Sequence, residues 1–216
     1  MRNQSIDSKL LFAQNAINNA LAIKEISSPL ALFGYNQQRL KEGEKLYTKA
    51  SELQIKQVKE YGEQYEASNV LHLTRAMANK TYMVHVKIAR VALRNNPETN
   101  ASLQLTGNRK DSLSGWLKQA KAFYTNALNT PKVITALAKF GIDKKQLEAG
   151  SALVSDLENS FNAQLKEKGE AQIATQERDE ALDDMQDWMS DFIAIARIAL
   201  ASEPQLLEML GIVEPS

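Results

Sequence analysis

Ile88-Ala89-Arg90-Val91-Ala92-Leu93 recurs as Ile195-Ala196-Arg197-Ile198-Ala199-Leu200, displaced by 107 residues. The same displacement lays Phe33-Gly34 on Phe140-Gly141, Gly43 on Gly150, Gly62-Glu63 on Gly169-Glu170 and Pro97 on Pro204, with no insertion or deletion. Between residues 5–107 and 112–214, 26 of 103 aligned pairs are identical. That is about a quarter, where ordinary composition gives roughly 7% by chance. The 216-residue chain therefore reads as a gapless tandem duplication, a basic repeat over 1–107 and an acidic repeat over 108–216. Most of the identities are Leu, Ala, Gly, Phe and Ile, which preserve packing and helix ends rather than chemistry.

The basic and acidic labels come from charge. The whole chain carries 26 Lys and Arg and 26 Asp and Glu, a net charge of zero. Residues 1–107 hold 14 basic and 9 acidic side chains, a balance of +5, and the remainder 12 and 17, a balance of −5. A neutral total argues against a general affinity for nucleic acid or an anionic membrane. There is no cysteine, which excludes disulfides, thiolate metal sites and cysteine nucleophiles and points to a reducing, cytoplasmic setting. The first residues have no secretory apolar region, being interrupted by Gln14, Asn15, Asn18 and Asn19. The most apolar run, Phe192 to Ala201, contains Arg197 and is far short of the roughly 20 residues that span a bilayer. A soluble chain without membrane association is expected.

Within each repeat the periodicity is helical throughout. An oxygen-bearing cap at Asp7, aligned with Ser114, precedes Leu10, Ala13, Ile17, Ala20 and Leu21, whose three- and four-residue steps make one apolar face. Leu117, Ala120, Tyr124, Ala127 and Leu128 repeat the pattern. Pro29 and Pro131 are read as helix boundaries. Phe33-Gly34-Tyr35-Asn36 and Phe140-Gly141-Ile142-Asp143 suit a left-handed glycine stop followed by an apolar contact and a new cap. This corner invites a helix-turn-helix reading, but a recognition helix is short and basic, and the helix that follows is long. In that helix Leu147, Gly150, Val154, Leu157 and Phe161 form a seam. Gly43 and Gly150 each cost roughly 1 kcal/mol of helix propensity, which implies close approach of another helix there.

Gln57, Lys59, Glu60, Gly62 and Glu63 match Gln164, Lys166, Glu167, Gly169 and Glu170. We expect Gly62 and Gly169 to turn helical hairpins, with Lys before and Glu after the break as the helix dipoles favour and Ser68 or Thr175 capping the next helix. The alternative is one helix from 36 to 94, about 88 Å long at 1.5 Å per residue. The seven-residue steps that carry the Leu147 seam on to Leu182, Met189 and Ala196 support that alternative. The second arm ends in the opening stretch and is stopped by Asn96-Pro97 and Glu203-Pro204. The predicted fold is all-α: a pseudo-twofold antiparallel bundle of long helical hairpins, built by duplication.

Chemistry-bearing patterns are scarce. His72 and His85 align with Asp179 and Phe192, so they are not kept as a pair. There is no Glu-x-x-His, Gly-rich phosphate loop or Gly-x-Ser-x-Gly elbow, and no catalytic, cofactor or metal site is predicted. Asp179, Asp183, Asp187 and Asp191 step by four along one helix. Their oxygens suit a hard cation only where ligands converge from several elements, so a solvated or partner-facing stripe is the simpler reading. The matching helix of the first repeat has Arg75, Lys80, Lys87, Arg90 and Arg94. We expect Arg75, Lys80 and Lys87 to pair with Asp183, Asp187 and Asp191 across the pseudo-twofold. Arg90 and Arg197 are candidate anion contacts, or cations meeting the negative end of a helix. Function is expected to be that of a non-enzymatic scaffold or protein-interaction module. Nucleic-acid binding through the basic repeat is one alternative. The other is a ligand- or metal-binding bundle using Tyr47, Tyr61, Tyr65, Trp116 or Trp188.

Overall fold

The computed structural model describes residues 4–213. Among them the chain forms eight α-helices and no strand: α1 (Ile6–Ala22), α2 (Lys24–Leu32), α3 (Gln37–Ala92), α4 (Pro97–Ser102), α5 (Leu113–Leu128), α6 (Pro131–Ala138), α7 (Lys144–Ala199) and α8 (Pro204–Met209). The all-α class is as expected. Among the described residues no helix is long and apolar enough to cross a membrane.

The long hairpins do not form. α3 and α7 each run 56 residues without a break, so Gly62 and Gly169 lie inside helices. Neither glycine has a positive φ, and the hydroxyls expected to cap a new helix bond back within the existing one. Ser68 Oγ donates to the Gln64 carbonyl at 2.9 Å and Thr175 Oγ1 to that of Ala171 at 2.8 Å. A mid-helix glycine costs about 1 kcal/mol, too little to interrupt a hydrogen-bond ladder that continues on both sides.

Two smaller expectations also shift. Ser5, not Asp7, caps α1, accepting from the Ser8 N–H at 3.2 Å, and Ser112, not Ser114, caps α5 through the Gly115 N–H at 3.2 Å. Asp7 falls in the first turn, where its charge meets the positive end of the helix. Pro29 lies within α2, whereas Pro131 opens α6.

The glycine corners are as read. Gly34 and Gly141 have φ of +87° and +82°. The Tyr35 N–H reaches back to the Leu30 carbonyl at 3.0 Å and that of Ile142 to Leu137 at 3.1 Å, the six-to-one bond of a Schellman stop. Asn36 then caps α3 through the Arg39 N–H, and Asp143 and Gln146 form a reciprocal capping box at the start of α7.

The compact units cut across chain order. One combines the chain up to Gly62 with the chain from Glu170; the other is Glu63–Gly169. In the first, Ile17 of α1, Ile26 and Leu30 of α2 and Leu40 of α3 are buried with Met185, Met189 and Phe192 of α7 and with Leu207 and Leu210. In the second, Tyr82, Val86 and Ala89 of α3 are buried with Phe123 and Tyr124 of α5, Leu137 of α6 and Leu147, Val154 and Leu157 of α7.

Both units use a glycine to seat an aromatic ring. A methyl at Gly43 would overlap the six-membered ring of Trp188, and one at Gly150 would overlap the Tyr124 ring and hydroxyl. The close approach expected at these glycines is thus made by an aromatic side chain rather than by a helix backbone. Trp188 stacks on Phe192 at 5.3 Å, and Tyr35 meets both rings edge-on. Tyr124 packs edge-on against Phe123 and His85.

Candidate functional site

The opening stretch ends α3 and is structural. Arg90 Nε donates to the Leu105 carbonyl at 2.7 Å and its Nη2 to that of Gly107 at 2.9 Å, so this cation ties the segment after α4 to the helix end. Arg197 is not a free cation either. Arg109, which nothing in its sequence context marked, extends the same latch. It donates to the Tyr82 hydroxyl at 2.9 Å and to the Gln104 carbonyl at 2.7 Å.

Arg75, Lys80 and Lys87 belong to the Glu63–Gly169 unit, and Asp183, Asp187 and Asp191 to the other. Within the first unit the acidic arm of α7 faces lysines from the first half of α3: Lys56 bonds Glu177 at 2.8 Å, and Lys49 lies 3.7 Å from Asp184. These pairs are exposed, and such pairs contribute about 0–1 kcal/mol each. Asp191 borders a shallow hollow with Tyr35 and Arg39. Arg39 lies over the Tyr35 ring, 4.8 Å from its centroid, while the Tyr35 hydroxyl and Trp188 Nε1 have no hydrogen-bond partner in the protein. Burial raises the Tyr35 phenol above its ordinary pKa, and the Arg39 charge opposes the shift.

His85 is buried in the second unit and shares a 3.0 Å hydrogen bond with the Tyr124 hydroxyl through Nδ1. Burial pulls the imidazole below the ordinary 6.5 and pushes the Tyr124 phenol up, with Tyr82 adding to that shift. A histidine with a lower pKa folded than unfolded binds its proton more readily in the unfolded chain. Its contribution to stability is therefore full above pH 6.5 and is lost as the pH falls through the folded value. The melting temperature is expected to drop from about pH 7 to about pH 5 more in the native chain than in His85→Gln, which leaves Tyr124 a polar neighbour but cannot titrate. Equal drops would remove this assignment.

On the second half of α3 the sequence reading missed a surface feature. Val70, Leu73, Met77, Val84 and Val91 are 46–63% exposed. Positions 70, 77, 84 and 91 step by seven, with Leu73 beside them, so they form one line along the helix. From residue 67 to residue 97 there is no Asp or Glu. Of the five cations in that stretch, Arg75 is committed to the Asp111 carbonyl and Arg90 to its latch. Lys80 and Lys87 are exposed and make none of the described ion pairs. A groove of about 410 Å³ opens in the line, walled by Met77, Thr81, Val84, His85 and Leu153 with Lys80 at its edge. The signal was in the sequence: four apolar residues at seven-residue steps in a stretch without carboxylates.

The chain matches no protein-family model, no curated protein and no solved structure.

Proposed function

We propose that the protein is a non-enzymatic helical scaffold and protein-interaction module, built by tandem duplication around a pseudo-twofold relation. The observation that carries this reading is that features 107 residues apart agree inside and at helix ends but, beyond the retained polar stretch from Gln57 to Glu63 and from Gln164 to Glu170, mostly differ on the surface. Gly34 and Gly141 make the same stop, and Gly43 and Gly150 each seat a ring. Lys144 and Ala199 bound α7 at the positions that Gln37 and Ala92 occupy in α3. Outside, Val70, Leu73, Met77 and Val84 have Glu177, Glu180, Asp184 and Asp191 as their counterparts. Apart from that stretch and Arg90 with Arg197, most of what is kept is packing, and what has diverged is the surface a partner would touch.

Capture of the tagged full chain from its source cells, with cross-linking and mass spectrometry, tests this. One protein recovered in near-stoichiometric amount, unaffected by nuclease or chelator, is expected. Recovery of nucleic acid that is lost steeply with salt, or melting that depends on added metal, would replace this reading with one of the other two classes.

A further inference from the structure

We infer that the exposed line on α3 from Val70 to Val91 is the docking face, and that its occupant is an amphipathic helix with an acidic rim, supplied by another protein. This deepens the interaction reading above and rests on it.

Single exposed apolar residues are ordinary, but five in one line, on a helix whose opposite face already fills a core, make a patch that the fold does not need. Counterpart positions on α7 show that most of it is not needed, because carboxylates stand opposite four of the five, with Ile198 matching Val91, in an equally regular helix. The groove at Met77 favours a protein helix over a lipid surface. A bilayer would leave a concavity of about 410 Å³ unfilled, whereas side chains spaced i, i+3, i+4 and i+7 on a docking helix can enter it. Met77 adds a side chain that adapts to what enters.

Charge then defines the rim of the occupant. Lys80 and Lys87 run along one side of the line, and α3 has no carboxylate after Glu66 to answer them. A partner rim of Asp and Glu satisfies those two lysines and speeds encounter, while a basic rim is repelled. The acidic arm of this chain's own α7 is a poorer occupant, because it would set carboxylates rather than apolar side chains over Leu73 and Met77.

Fluorescence anisotropy with the full-length chain tests the assignment. The probe is a labelled helical peptide of about 20 residues with leucines at i, i+4, i+7 and i+11 and glutamates on both flanks. The counter-probes are the same peptide with lysine flanks, and phosphatidylcholine vesicles containing about a third phosphatidylserine. Saturable binding of the acidic peptide is expected, weakening at high salt. Met77→Glu with Val84→Glu should lower its affinity roughly tenfold or more. Lys80→Glu with Lys87→Glu should move the preference to the lysine-flanked peptide. All four sites are exposed, so thermal melts should be nearly unchanged, and an unfolded variant would be replaced by the single Met77→Gln.

Absence of saturable binding, equal binding of both peptides, or binding of vesicles alone would overturn the assignment. So would a dimer of the chain abolished by Met77→Glu, since a second copy would then be the occupant. The two readings fail separately. If the acidic peptide does not bind while the chain still captures a stoichiometric partner, the face is wrong and the module stands. If nothing is captured but the peptide binds through Lys80 and Lys87, the face stands and the module loses its support.

Discussion

Cut between Gly107 and Asn108, the chain is expected to give two fragments, neither of which shows the thermal transition of the whole, and mixing them should restore it. The reason is the way each compact unit is assembled. Residues 1–107 contain α1, α2 and the first half of α3, but the Leu182, Met185, Met189 and Phe192 that bury them lie beyond residue 170. Tyr82, Val86 and Ala89 are likewise separated from Phe123, Tyr124, Leu147 and Leu157. Fully burying one such large side chain contributes about 1.5–3 kcal/mol, and a whole domain is stable by only about 5–15 kcal/mol. Losing four or more contributions of that size exceeds the margin. Circular-dichroism melts of each fragment and of the equimolar mixture, with sedimentation to size the complex, check this. A fragment 1–107 that melts cooperatively as a monomer would instead make each sequence half a folding unit.

Alanine at the four aligned glycines is expected to split by sign. Gly43→Ala and Gly150→Ala force a methyl into Trp188 and Tyr124, rings held by Phe192 and Tyr35 on one side and by Phe123 and His85 on the other. Overpacking of that kind costs about 1–3 kcal/mol, against which better helix propensity returns roughly 1 kcal/mol, so a net loss results. Gly62→Ala and Gly169→Ala meet nothing within 4 Å and sit in unbroken helix, so each should gain up to about 1 kcal/mol. Urea unfolding at equilibrium reads all four. Destabilisation at Gly62 or Gly169 would mean that the chain turns there after all.

The hairpin expectation failed because the local signals around these glycines are ambiguous. Lys59 and Glu63, or Lys166 and Glu170, read as charges flanking a break, but four residues is also the spacing of side chains sharing one face of a helix. Ser68 and Thr175 read as caps, yet a hydroxyl can equally bond the carbonyl four residues back. The heptad seam from Leu147 to Ala196 carried the correct answer, because seven-residue steps that stay in phase across Gly169 need an unbroken helix. By contrast, the corners at Gly34 and Gly141 were fully legible, since a glycine, an apolar residue and a capping side chain in succession have one economical arrangement. The caps Ser5 and Ser112 were legible too, as an identical aligned pair, but Asp7 and Ser114 drew the assignment two residues inward.

The packing of units was not legible, because two aligned halves of a sequence are compatible with each half folding on itself or with the halves sharing their cores. Lys80 and Asp187 belong to different compact units. Within the first unit the acidic arm of α7 pairs with Lys49 and Lys56 of the first half of α3. Lys80 and Lys87 stand beside an apolar line that composition alone, averaged over the half, conceals.

The most direct measurement is a photo-crosslinking amino acid placed at Met77 of the full chain, with Asp184 as the counterpart position, activated in the source cells. One abundant adduct with a single protein at position 77, competed by the glutamate-flanked peptide and absent at position 184, is the predicted result. Adducts at 184 alone, or an adduct at 77 that the acidic peptide does not compete, would contradict it.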